Sequence, residues 1–134
     1  MIYFKNLLLI DDDEDDHEFF LEAIQDIDKS LTCNCLLDGE EALKLLRENN
    51  KGLPDLIFLD TNMPKISGRQ ILAELKSDHR LKHIPVVMYS TFFSDKDDEE
   101  LRKLGAVRYL AKPSKFGDFR HALNDILTTT LNVH

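Results

Sequence analysis

Five positions in this chain could do chemistry together. Asp60 ends an uninterrupted apolar run, Leu56 to Leu59, with Pro64 and Gly68 close behind. Asp11 and Asp12 follow a second such run, Leu7 to Ile10, and open a block of six consecutive acids. Ser90 closes Val86-Val-Met-Tyr, and Lys112 closes the stretch from Val107 to Ala111. Three carboxylates gathered at one place repel unless a cation sits among them. Hard oxygen donors without histidine or thiolate suit Mg2+, which keeps several waters and takes few protein ligands. A carboxylate can also act as a nucleophile and form an acyl phosphate. The incoming phosphoryl oxygens then need neutralising, which a metal ion and an ammonium can do. Asp60 as nucleophile, Asp11 and Asp12 as metal acids, Ser90 as a hydroxyl donor and Lys112 as the ammonium supply that set.

For these residues to meet, the elements that carry them must share an edge. Short apolar runs bounded by turn residues suit strands buried on both faces of a parallel sheet. Such runs occur at 7–10, 31–37, 56–59, 86–90 and 107–111. Between them, apolar residues recur at helical spacing: Phe20, Ala23, Ile24 and Ile27; Ala42, Leu45 and Leu46; Ile71, Leu72 and Leu75. Asp95 to Leu104 form a fourth helix with few apolar residues, expected to be weakly packed and mobile, with Gly105 as its stop. Phe119, Leu123, Ile126 and Leu127 mark a fifth. Strand and helix alternate five times, which predicts an α/β fold with a doubly wound five-stranded parallel sheet. Right-handed crossovers then bring Asp11, Asp12, Asp60, Ser90 and Lys112 to the C-terminal ends of the strands, where open α/β sheets bind ligands.

The composition narrows the classes. A chain of 134 residues, 43% apolar, predicts one domain over 1–134 with its core at about 5–128. No apolar stretch is long enough to cross a bilayer. The start, MIYFKNLLLIDDD, lacks a signal-peptide cleavage site, so a cytoplasmic protein without membrane contact is expected. A net charge of -8 argues against direct nucleic-acid binding. An acidic block is usually a solvated segment; directly after a strand, a metal site competes with that reading. Asp13 is explained as a helix cap. Cys33 and Cys35 share one strand face with Leu31 and Leu37 and read as reduced packing residues. The five histidines read as surface or packing residues.

The ordered set resembles the receiver domain of two-component response regulators over nearly the whole chain. An acidic pair follows the first strand (Ile10-Asp11-Asp12), LDTNMP with the later Gly68 follows the third, IPVVMYST the fourth and RYLAKP the fifth. Ser90 follows Asp60 by 30 residues and Lys112 follows Ser90 by 22, as in that family. The resemblance implies the flavodoxin-like strand order 2-1-3-4-5. It implies Mg2+ held by Asp11, Asp12, Asp60 and the backbone carbonyl of Asn62. Asp60 would accept a phosphoryl group from a sensor histidine kinase or phosphotransfer protein. Ser90 would be the switch hydroxyl, Lys112 the phosphate-pairing cation and Tyr109 the aromatic switch. A downstream protein would dock on the face of the fourth helix, fifth strand and fifth helix, and the family leaves room for a homodimer. The protein would then be a regulator rather than an enzyme. The Lys112-Pro113 bond is cis in many receivers. With no output domain following, the chain is similar to stand-alone receivers, the small regulators beside bacteriophytochromes and hybrid kinases among them.

There are departures. Thr91 stands where the family has Ala or Gly, and Phe92 at a place often polar; a ring there predicts slow self-dephosphorylation. Two rival classes remain at this point. A phosphorylation-independent binding module of the same fold need not keep all five parts of the site. A haloacid-dehalogenase-type phosphatase expects an acid-x-acid-x-Thr/Val signature on the nucleophile's strand; Ile10-Asp-Asp-Asp-Glu14 lacks the hydroxyl or Val, and LDTNM lacks the second acid.

Overall fold

The computed structural model describes residues 2–49, 52–91, 94–112 and 115–129. The elements alternate as β1 (Asn6–Ile10), α1 (Glu14–Ile27), β2 (Thr32–Leu36), α2 (Gly39–Glu48), β3 (Leu56–Asp60), α3 (Gly68–Ser77), β4 (Val86–Ser90), α4 (Asp95–Leu104), β5 (Arg108–Ala111) and α5 (Phe116–Thr128). All strand pairs are parallel, in the order β2-β1-β3-β4-β5.

The uninterrupted apolar runs have a direct cause. β3 and β4 are buried at every residue, because helices cover both faces of the sheet. Along β1, Leu7 and Leu9 face a core shared with Phe20, Ile24, Phe58, Tyr89, Phe119 and Leu123. Leu8 and Ile10 face the opposite core with Ile57, Leu59, Ile71, Leu72, Leu75 and Met88. The edge strands β2 and β5 are only partly buried.

Helix starts follow their caps. The Asp13 carboxylate accepts from the Asp15 amide, Asp38 from the amides of Glu40 and Glu41, and Ser67 and Ser94 form capping boxes with Gln70 and Asp97. Gly105 ends α4 in the left-handed region at φ 113°. The face of α2 differs from the one read off the sequence. Leu43 is buried with Ala42 and Leu46, while Leu45 is 46% exposed, since the helix begins at Gly39 and turns position 45 outward. Leu37 likewise lies beyond the end of β2 and is exposed, whereas Leu31, Cys33 and Cys35 pack on the α1–α5 side. Of α4 only Leu101 is buried.

Register sets the height of each strand end. Ile10 is level with Leu59, Asp60 with Tyr89, and Ser90 with Ala111. Asp11 and Asp60 therefore share one level, with Ser90 one residue beyond them and Lys112 about two.

Candidate functional site

The strand ends are pinned by backbone bonds. The Asp11 amide donates to the Leu36 carbonyl at 3.0 Å, the Thr61 amide to the Tyr89 carbonyl at 3.2 Å, and the Lys112 amide to the Ser90 carbonyl at 2.8 Å. His17, buried on α1, brings its Nε2 to 2.5 Å from the Asp11 carbonyl oxygen.

Asp60 is 3% exposed; its Oδ1 accepts from the Asn62 amide at 3.0 Å, and its Oδ2 lies 3.3 Å from Lys112 Nζ. Asp11 is fully buried, with Oδ1 accepting from the Asp13 amide at 3.0 Å and Oδ2 at 3.1 Å from Lys112 Nζ. Asp12 is exposed, yet carboxylate oxygens of Asp11, Asp12 and Asp60 all lie within 4.8 Å of one another. Lys112 reaches over the buried Tyr89 ring, 5.1 Å from its centroid. Ser90 is buried at the end of β4.

The charges strain one another. Burial, with the Asp60 charge adding to it, pushes the Asp11 carboxyl up to about 7. Burial also raises Asp60, against the pull of the Asn62 amide and Lys112. Burial acts to lower the Lys112 ammonium, but the Asp16 bond and the charges of Asp60 and Asp11 outweigh it and hold it above its ordinary range. Such a cluster lacks positive charge. Asp11 Oδ2 is buried with no well-aligned hydrogen bond; its nearest cation is Lys112 Nζ at 3.1 Å, which it shares with Asp16 and Asp60. A buried carboxylate oxygen whose one cation is shared with two other acids, facing two further carboxylates, fits a hard divalent cation.

The structure brings Asp11, Asp12, Asp60 and Lys112 into one cluster, with Ser90 at its rim on β4. Asn62 is tied to Asp60 through its amide. Tyr109 stands apart: it is partly buried against the α4 side, and its hydroxyl donates to the Asp98 carbonyl at 2.6 Å. Pro113 and Phe92, on which the cis-bond and dephosphorylation expectations rest, lie outside the described residues. Thr91 is exposed just beyond β4.

One member was missed in the sequence. Asp16, on the first turn of α1, lies 2.7 Å from Lys112 Nζ, nearer than either strand-end acid. Its place in the first turn of a helix capped by Asp13 is legible in the sequence, but nothing there tells it from the exposed acids Glu14 and Asp15 beside it.

Residues 7–124 match the response regulator receiver domain family. The chain belongs to that family. It is 31% identical over 123 residues to the polar-differentiation response regulator DivK of Brucella ovis, covering 92% of this chain and 96% of that one. Among solved structures, the phosphorylated cyanobacterial phytochrome response regulator RcpA superposes with a TM-score of 0.84 at 34% identity, over 96% of this chain and 98% of its own. The Mn2+-bound form of response regulator Rcp1 gives 0.81 at 31%, over 96% and 99%. This receiver is thus a phosphoacceptor of two-component signalling, and neither the phosphatase nor the binding-module reading is favoured.

Proposed function

We propose that Asp60 is the acceptor, taking a phosphoryl group with Mg2+ from a sensor histidine kinase or a phosphotransfer protein. The observation that carries this is the buried Asp60 carboxylate, fixed by the Asn62 amide and facing Lys112 at 3.3 Å. Asp11, Asp12 and Asp60, with the Asn62 carbonyl, would hold the metal. When bound, Mg2+ supplies positive charge for the phosphoryl oxygens. The chain's own residues do the rest. Asp60 presents one oxygen as nucleophile while Asn62 holds the other. Lys112 pairs a phosphoryl oxygen, and the Ser90 hydroxyl hydrogen-bonds another. Tyr109 then changes its place, altering the α4–β5–α5 face for a downstream protein or a second copy. We read the protein as one receiver over 1–134, a regulator rather than an enzyme, working in the cytoplasm.

The test is modification by acetyl phosphate, followed by intact mass. Wild type with Mg2+ should gain one phosphate, and Asp60→Asn should gain none, since the amide is no nucleophile. A full adduct on Asp60→Asn would move the acceptor elsewhere.

A further inference from the structure

We infer that Asp16 is a competing counter-ion for Lys112, so that the first turn of α1 sets how tightly the site holds a phosphoryl group. The inference rests on Asp60 as the acceptor.

The ammonium serves three masters. Its distances are 2.7 Å to Asp16, 3.1 Å to Asp11 and 3.3 Å to Asp60, and it donates hydrogen bonds to Asp16 and Asp60. The Lys112 side chain is 14% exposed and that of Asp16 28%, so water screens the pair far less than a surface ion pair. The position also suits a carboxylate, because the free amides of a helix N-terminus favour negative charge in the first turn. Asp16 makes no other ion pair among the described residues.

Phosphorylation changes the competition. A phosphoryl group on Asp60 brings further negative charge and three strong acceptor oxygens to the ammonium. Turning Lys112 toward it competes with the Asp16 bond, and loosening that bond leaves a half-buried carboxylate without its cation beside new negative charge. Asp16 thus weakens the phosphorylated state twice, by holding Lys112 back and by repulsion. The other acids of the turn differ. Glu14 and Asp15 are exposed and form no ion pair with Lys112, and Asp13 is the cap. The effect belongs to one residue of the acidic block rather than to its total charge.

The probe is beryllofluoride with saturating Mg2+, a phosphoryl mimic, followed by fluorine NMR. Asp16→Asn and Asp16→Ala should bind it roughly tenfold tighter than wild type, on the scale of one charge-assisted hydrogen bond. Asp16→Glu should stay near wild type. Asp15→Asn, which removes the same charge without touching Lys112, should also stay near wild type. Affinity for Mg2+ alone should fall only slightly, and equally, in Asp16→Asn and Asp15→Asn. Equal or weaker beryllofluoride binding by both Asp16→Asn and Asp16→Ala overturns the inference while leaving the acceptor intact. Equal tightening by Asp15→Asn overturns it too, in favour of a general field. No binding by wild type sinks the acceptor reading and this inference together.

Discussion

Gly68 lies against the carbonyl of Asp60 so closely that a Cβ built there would stand 2.1 Å from the oxygen. The contact is backbone against backbone, and the Gly68 amide also donates to the Thr61 carbonyl at 3.2 Å. No side-chain rotation can relieve it, so α3 or the end of β3 must shift. Gly68→Ala should lose roughly 2–3 kcal/mol of stability, the scale of overpacking in a tight interior. It should also weaken beryllofluoride binding, because the shift falls on the acceptor. Urea denaturation and a beryllofluoride titration check both. A fully stable variant with wild-type affinity would show that the strand end is free to move.

The raised Asp11 carboxyl predicts opposite pH dependences for stability and metal binding. Its value of about 7 in the fold exceeds its ordinary 3.8, so the folded state holds the extra proton between those limits. Stability from this group is therefore present below about pH 4 and is lost as pH rises through about 7, a change of roughly a few kcal/mol. Mg2+ needs the carboxylate, so its affinity should fall by up to about tenfold for each pH unit below 7. Denaturation at about pH 5.5 and about pH 8.5, without and with Mg2+, tests this. The metal-free protein should be the less stable at the higher pH, and Mg2+ should restore it there. Metal affinity that does not change with pH would contradict the assignment.

How much of the fold and of the site is legible in the sequence depends on whether each signal is local. The strand ends at Asp11, Asp60, Ser90 and Lys112 were legible because each is a polar residue closing an apolar run, and topology alone puts such closures on one edge. Gly105 and Asp13 were legible as punctuation. Leu45 was misjudged because the face of a ten-residue helix depends on where its first turn begins, and Asp38 moves that start to Gly39. Asp16 was hidden by its neighbours: in six consecutive acids nothing local tells the one that turns inward from those that face water. The partners of His17 and Tyr109 were out of reach for another reason. Both are backbone carbonyls, and no residue type announces which carbonyl takes a side-chain bond.

Among the described residues, Lys112 is the one cation ion-paired within the four carboxylates Asp11, Asp12, Asp16 and Asp60, and it pairs directly with three of them. Lys112→Met should thus separate metal from phosphate. Removing the ammonium leaves the acids more negative, so Mg2+ alone should bind several-fold tighter, by Coulomb's law in a partly buried site. Beryllofluoride affinity should fall by about 100-fold, since its pairing cation is gone. Without metal the variant should be destabilised by about 3 kcal/mol, the cost of stranding buried charge, and Mg2+ should recover most of that. Calorimetric titration with each ligand separates the two effects. Weaker Mg2+ binding in the variant would mean that Lys112 shapes the metal site instead of opposing it.

Tyr109 ties β5 to a helix with few other anchors. Its hydroxyl donates to the Asp98 carbonyl at 2.6 Å, while α4 fully buries only Leu101, packs Leu104 in part against the core, and is tied to α3 by ion pairs from Arg69 to Asp97 and Glu100. If the Ser90 hydroxyl moves toward a phosphate on Asp60 and Tyr109 turns into the space it leaves, the Asp98 bond must break. The α4 amides should then exchange faster when beryllofluoride and Mg2+ are bound. Tyr109→Phe should reproduce part of that change without any ligand, at a stability cost of about 1 kcal/mol for one hydrogen bond. The ligand should then add less to α4 exchange in the variant than in wild type, because the bond it breaks is already absent. Hydrogen exchange across 94–112, in both proteins and with occupancy verified by fluorine NMR, reads all three effects. Identical exchange in wild type with and without the bound ligand would leave Tyr109 a packing residue and place the switch on another surface.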